Sequence, residues 1–241
     1  MKHFALFVSR SLFPIFILTL FSHQAVAKEN KDGENKLNHK HQDILFVGDS
    51  HSVGIFGHAL TNLLKDNASL DAKVTTVASC GSSPSSWLEG KRTTCGFWRQ
   101  DHNGNEQSSV KGLTPKLIKL INTVKPKTVI IALGSNLVPL SKSARLAGTE
   151  AMMSQVSNMA NQCVWIGPPD SRKFSAAEIN DVYVLLDELS HKYHCNLIDS
   201  RKYTHYPKSG GDGLHYGGKE GTLIAKSWAD KVFWNDIKRV L

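Results

Sequence analysis

Five short apolar runs recur along the chain, near residues 43–48, 73–78, 127–133, 163–167 and 195–199. Runs of this length, rich in Val and Ile and without strict alternation, predict strands buried on both faces. Between them apolar residues return at every third or fourth position, which predicts helices near 53–65, 114–124, 144–160, 175–193 and 217–240. Strands alternating with helices give an α/β fold, a parallel sheet covered by helices. Ser175 ahead of Ala176-Ala177-Glu178 is a helix start signal, since its hydroxyl accepts an early backbone N–H and Glu178 stands three residues on. In the last segment Leu223, Ile224, Trp228, Val232 and Ile237 fall at helical spacing and predict core contacts.

Three regions depart from this pattern. Residues 1–27 combine a positive start (Lys2, Arg10), an apolar stretch from Leu12 to Phe21 and the small-x-small site Ala25-Val26-Ala27, the pattern of a cleaved export signal. The stretch is about half of the ~20 apolar residues that span a bilayer, so no stable membrane insertion is expected after cleavage. Residues 28–42 hold Lys, Glu, Asn and His with Leu37 as the one apolar side chain, and predict a flexible charged tether. The catalytic unit is then residues 43–241. Within it, Gly81 to Thr114 is polar and irregular, and loops of that length are functional or disordered. Its Trp87 and Trp98 either stack on a sugar ring or anchor the loop on the core.

Charge and cysteine content narrow the setting. The 241-residue chain carries a formal net charge of +8, and signal cleavage removes two of its 29 basic residues and none of its 21 acidic ones, leaving +6. A basic exported protein is drawn to anionic envelope polymers, although the lysines are scattered along the sequence. The absence of a basic-aromatic array argues against nucleic acid. Four cysteines in an oxidising compartment predict two disulfides with three possible pairings. Cys80 with Cys95 would close a local loop. Cys163 with Cys195 would join two strands, since each begins an apolar run. No paired Cys-x-x-Cys is present, so a zinc site is not expected, and His191 and His194 read as solvated residues at a helix end.

The candidate chemistry sits at the ends of the predicted strands. Gly48-Asp49-Ser50-His51-Ser52 follows the apolar run Asp43–Val47 directly, so Ser50 is presented where a buried strand turns. A serine hydroxyl needs a base to take its proton and an acid to orient that base, and Asp212-Gly213-Leu214-His215 supplies both. The charge that develops on an attacked carbonyl oxygen needs donors already in place. The backbone N–H groups of Ser50 and Gly81 and the side-chain amide of Asn136 are available, each at the carboxyl end of a predicted strand, where the sites of open α/β sheets gather.

These four blocks, Gly48-Asp49-Ser50, Gly81, Gly134-Ser135-Asn136 and Asp212-Gly213-Leu214-His215, resemble those of the SGNH (GDSL) hydrolase family in order and spacing. The resemblance covers essentially the whole domain. It implies a three-layer flavodoxin-like fold with a five-stranded parallel sheet of order 2-1-3-4-5, hydrolysis through an acyl-serine, and no metal or other cofactor. It also implies Ser50, Asp212 and His215 as the triad, with Ser50, Gly81 and Asn136 as the oxyanion hole. Two positions differ from the common pattern: His51 stands where a leucine often follows the serine, and Leu137 where an aspartate often follows the asparagine. A histidine after the serine resembles the branch acting on acyl groups of bacterial envelope glycans. His51 itself reads either as a second base contacting substrate or as a packing residue. The Gly-x-Ser-x-Gly elbow of ordinary α/β hydrolases is absent.

The expectation is therefore an exported, periplasmic or secreted serine esterase. Its substrate would be a polysaccharide such as peptidoglycan, from which it removes small O-acyl groups. The alternatives are an O-acyltransferase using the same triad, a lipase or thioesterase, and a non-catalytic glycan-binding protein.

Overall fold

A computed structural model of the chain describes residues 42–241; the predicted signal segment and the tether before Gln42 lie outside the described residues. The strands are β1 (Gln42–Gly48), β2 (Ala72–Ser79), β3 (Arg92–Thr93), β4 (Phe97–Gln100), β5 (Glu106–Ser109), β6 (Gly112–Leu113), β7 (Thr128–Ala132), β8 (Gln162–Ile166) and β9 (Cys195–Ile198). The α-helices are α1 (Ser50–Val53), α2 (Ile55–Asp66), α3 (Pro84–Glu89), α4 (Leu117–Val124), α5 (Lys142–Met159), α6 (Ala176–Tyr193), α7 (Gly218–Val232) and α8 (Lys238–Val240), with a π turn at Phe233–Ile237 between the last two.

Five parallel strands pair in the order β2-β1-β7-β8-β9, the predicted 2-1-3-4-5 arrangement. Sheet extent differs from expectation. Antiparallel β4 and β5 extend the sheet beyond β2 to seven strands, and β3 pairs with β6 in a separate two-stranded ribbon. Both additions come from residues 81–114, which are folded rather than irregular. Their strands are two to four residues long, and β5 is exposed throughout, so no apolar run marks them.

Alternation along each central strand sends successive side chains to opposite faces. Leu45, Val47, Val129 and Ile131 pack on one side against α4, α5 and α6, while Ile44, Phe46, Ile130 and Ala132 pack on the other against α2 and α7. Three layers result. Both core clusters consist wholly of residues from 44 onward, so the described unit contains its own core. Leu223 departs from its predicted core role and is 63% exposed, because α7 packs through Ala225, Trp228, Ala229 and Val232 instead. The capping box of α6 is formed as predicted: Glu178 N–H donates to Ser175 Oγ (3.3 Å), and Ser175 N–H donates to Glu178 Oε2 (2.8 Å).

Two disulfides join Cys80 to Cys95 and Cys163 to Cys195. Cys163 and Cys195 are directly paired in register on β8 and β9, with Cα atoms 4.5 Å apart. The other bridge ties the residue before Gly81, just past β2, to the bend between β3 and β4 (Cα–Cα 5.5 Å).

Candidate active site

The parallel strands β1, β2 and β7 end level with one another, Gly48 pairing with Ala78 on one side and Ala132 on the other. Gly48 closes that rim because a Cβ there would lie 2.0 Å from Ser52 Oγ. The chain then turns at Asp49, whose carboxylate Oδ1 accepts the His51 N–H (2.9 Å) and so caps α1. Ser50 opens that helix, partly exposed above a buried floor.

From the opposite end of the chain, the loop before α7 brings its histidine onto this serine. His215 Nε2 lies 2.9 Å from Ser50 Oγ, and His215 Nδ1 lies 2.5 Å from Asp212 Oδ2. With the proton on Nδ1 donated to the carboxylate, Nε2 is left to accept from the serine hydroxyl. Partial burial works against the charge on Asp212, but hydrogen bonds from the His215 ring and from the backbone N–H groups of His215 and Leu214 outweigh it and hold the carboxyl well below the usual range. The carboxylate is thus ionised and able to stabilise an imidazolium.

A dense set of contacts holds this loop. Tyr206 Oη accepts the Gly213 N–H (3.0 Å) and donates to the His215 carbonyl (3.0 Å). Gly213 O accepts from Ser171 Oγ and from the backbone N–H groups of Arg172 and Lys173. The Arg172 guanidinium, beneath Tyr206, donates to the carbonyls of Pro207 and Gly210.

The oxyanion candidates gather at the same rim. Asn136 Nδ2 donates to Ser82 O (3.1 Å) and lies 3.5 Å from Asp49 Oδ2, which sets it between the Ser50 turn and the Gly81 turn. Gly81 has φ +73°, a conformation that a residue with a side chain rarely adopts, and the neighbouring disulfide fixes the turn. The backbone N–H groups of Ser50 and Gly81 have no backbone acceptor among the described residues. Leu137 is buried in the core cluster, which accounts for an apolar residue in place of an acid.

Of the two readings open for Trp87, Trp98 and His51, contact with substrate or packing, all three side chains take the packing position. Trp87 is fully buried with its indole N–H donating to Ser82 Oγ (3.1 Å), and Trp98 lies buried under a stacked His58 ring (3.8 Å between centroids) with its N–H on Glu106. Both anchor the 81–114 segment, whose polar strands otherwise offer little to bury, and neither presents a ring to a ligand. His51 is likewise buried, its Nε2 3.3 Å from Ser135 Oγ and its ring edge-on to Trp228. The ring packs behind the serine, and burial pushes its pKa down to about 3.

Asp49 is a site residue that reading for motifs left unassigned. It is buried, and desolvation raises its pKa to about 7 against the hydrogen bond from His51 N–H. A signal for it existed, since an aspartate one position before a helix is a preferred cap. Tyr206 had no such signal, because its link to the Asp212–His215 loop is a tertiary contact. Among the described residues no cluster of His, Cys, Asp or Glu is arranged to hold a metal.

Against His215 lies a cavity of about 200 Å³, walled by Tyr206, Tyr216 and glycines of the two flanking turns. A larger groove of about 1050 Å³ runs between α2 and α7 from Gly54 to Trp234, and neither Ser50 nor His215 lines it.

No family model and no curated protein matches the chain. Solved structures do. TesA aligns at a TM-score of 0.61 with 16% identity, covering 83% of this chain and 100% of that one. A catalytic variant of Axe2, an acetylxylan esterase from Geobacillus stearothermophilus, aligns at 0.55 with 13% identity over 79% of this chain and 94% of its own. LAE5, an α/β hydrolase enzyme from the metagenome of Lake Arreo, Spain, aligns at 0.56 with 10% identity over the same shares. The chain has the fold of the SGNH-type hydrolases. That fold carries the four sequence blocks to one rim of the sheet.

Proposed function

We propose that the protein is a serine ester hydrolase that removes small O-acyl groups, acetyl foremost, from a glycan of the cell envelope such as peptidoglycan. The observation that carries this reading is the continuous chain from Asp212 through His215 to Ser50, at 2.5 and 2.9 Å. The reaction follows from it. Ser50 Oγ attacks the ester carbonyl carbon as His215 Nε2 takes the hydroxyl proton, and Asp212 stabilises the imidazolium. The oxyanion that forms is held by the Ser50 and Gly81 N–H groups and the Asn136 amide. His215 then protonates the departing sugar oxygen. Water, deprotonated by the same nitrogen, attacks the acyl-serine and releases the carboxylic acid, which restores Ser50.

Axe2, which shares the fold, is an acetylxylan esterase. Export is part of the proposal: two disulfides fit an oxidising compartment, and no helix among the described residues is long and apolar enough to cross a membrane. The closest rival is transfer of the acyl group to a sugar hydroxyl in place of water, through the same residues.

The test is acetate release from O-acetylated peptidoglycan by the purified protein, with Ser50→Ala in parallel and a short p-nitrophenyl ester as control. Release by the wild type and its loss in the variant are expected. Cleavage of the small ester alone would keep the chemistry and discard the polymer, and acyl appearing on an added sugar rather than as free acetate would establish transfer.

A further inference from the structure

One segment of the chain concentrates cations without acids. Residues 107–149 contain seven basic residues and no acidic one. Part of this segment folds against the β3–β6 ribbon, where Arg92 is the direct partner of Leu113. Paired residues project from the same face of a two-stranded ribbon. The opposite face is the buried one, since Thr93 is buried and a Cβ on its partner Gly112 would meet the Phe97 ring at 2.9 Å. Arg92 and Leu113 are therefore side by side toward solvent, both exposed, with Lys111 two residues before Leu113 on the same chain.

Helix α4 follows the ribbon after three residues. It buries Leu117, Leu120 and Ile121 and leaves Ile118 and Lys119 exposed. Exposed Lys116, at its start, is close to the ribbon: its Cγ lies 3.3 Å from where a Gly90 Cβ would stand, and Thr114 N–H donates to Lys91 O (2.9 Å). Lys91 is paired with Glu89 (3.2 Å), and Glu106 is turned to the Trp98 indole, which orients its carboxylate without cancelling the charge. Among the cations stand three aliphatic side chains open to water: Val110 at 71%, Leu113 at 59% and Ile118 at 40% exposure.

We infer that this face, formed by Arg92, Lys111, Lys116 and Lys119 around Val110, Leu113 and Ile118, docks the protein reversibly on an anionic lipid bilayer. The cations alone would suit any polyanion. The aliphatic side chains favour a bilayer over a soluble polyanion, because a bilayer offers an apolar phase beneath its charges in which they can be buried. The docking face is also tied to the site: Thr93 Oγ1 donates to Cys80 O (2.7 Å), directly before Gly81. Docking would hold the oxyanion wall near the membrane surface.

Sedimentation with vesicles tests this, using the chain from Lys28 so that the apolar stretch 12–21 does not bind by itself; both core clusters are retained in it. Binding to phosphatidylglycerol-containing vesicles and none to pure phosphatidylcholine is expected. At about fivefold per cation near an anionic surface, Lys111→Glu with Lys116→Glu and Lys119→Glu should weaken partitioning at least ~100-fold. Val110→Ser with Leu113→Ser, which changes no charge, should weaken it several-fold. Lys219→Glu with Lys226→Glu and Lys231→Glu, on α7 across the sheet, is the control for net charge, and circular dichroism confirms folding of each variant. Three results would overturn the proposal: an equal loss in the α7 control, equal binding to phosphatidylcholine, or an unaffected Val110/Leu113 variant that binds soluble polyglycerol phosphate as tightly as it binds vesicles.

Discussion

The two walls of the site are built on opposite principles. On the nucleophile side, Ser50 rides on Asp49, His51 and Ser52, all buried, and the rim beneath it is the end of a strand with no exposed side chain from Ile44 on. On the base side, Leu214 and Tyr216 reach the interior, but Asp212 and His215 themselves are about half exposed and are positioned by hydrogen bonds that a tyrosine hydroxyl, an arginine and a serine make with their loop. A buried wall fixes the nucleophile through packing, so its errors show as lost stability. A hydrogen-bonded wall fixes the base through directed contacts, so its errors show as lost turnover in a folded protein.

The sharpest break would come at the base. His215→Ala should lower ester turnover by about 10⁴-fold or more while leaving the melting temperature nearly unchanged, because the side chain is exposed and anchors no core. Steady-state kinetics and calorimetry on one preparation check both halves. Asn136→Ala, between the walls, should cost about 100- to 1000-fold in kcat with little change in KM, as a donor used in the transition state would.

Asp49→Asn probes the buried wall through pH. Between its ordinary value of 3.8 and about 7 the unfolded chain gives up the Asp49 proton while the folded chain keeps it, so this group makes stability fall as pH rises. His51 acts oppositely: between 6.5 and about 3 the unfolded chain takes up a proton that the buried ring refuses, so stability falls as pH drops. The windows overlap and offset each other. Removing the carboxyl should leave the variant gaining stability, relative to wild type, as pH rises from 4 to 7, which urea midpoints at several pH values would show; parallel curves would contradict the assignment.

Tyr206→Phe should have the smallest effect, at most about tenfold in kcat, from one hydrogen-bonding group lost from the base loop. Its urea midpoint should stay near that of the wild type. A large loss of stability would mean that the base wall is held by packing after all.

The parallel core and the residues that meet at Ser50, His215 and Asp212 were legible in the sequence because each left a local mark. Buried strands read as apolar runs, Ser50 and Asn136 stand in short blocks at the ends of such runs, and Asp212-Gly213-Leu214-His215 is a recognisable block in a polar loop. Residues 81–114 were not legible, since an edge ribbon such as Glu106–Ser109 is polar on both faces and draws its order from a disulfide and two indoles. The same two indoles show why an aromatic in a polar loop is ambiguous: Trp87 and Trp98 are what the segment buries, and the sequence carries no mark of which way a ring points. Tyr206 and Arg172 act through contacts that only the folded chain makes, whereas Asp49 carried the local mark of a helix cap.

The most direct measurement is active-site labelling. The purified protein would be treated with a fluorophosphonate and digested, and the adduct located by mass spectrometry. The account predicts one adduct, on Ser50, absent from Ser50→Ala and lost with His215→Ala. Ester turnover that persists with Ser50 unlabelled, or an adduct on another residue of the active protein, would contradict it.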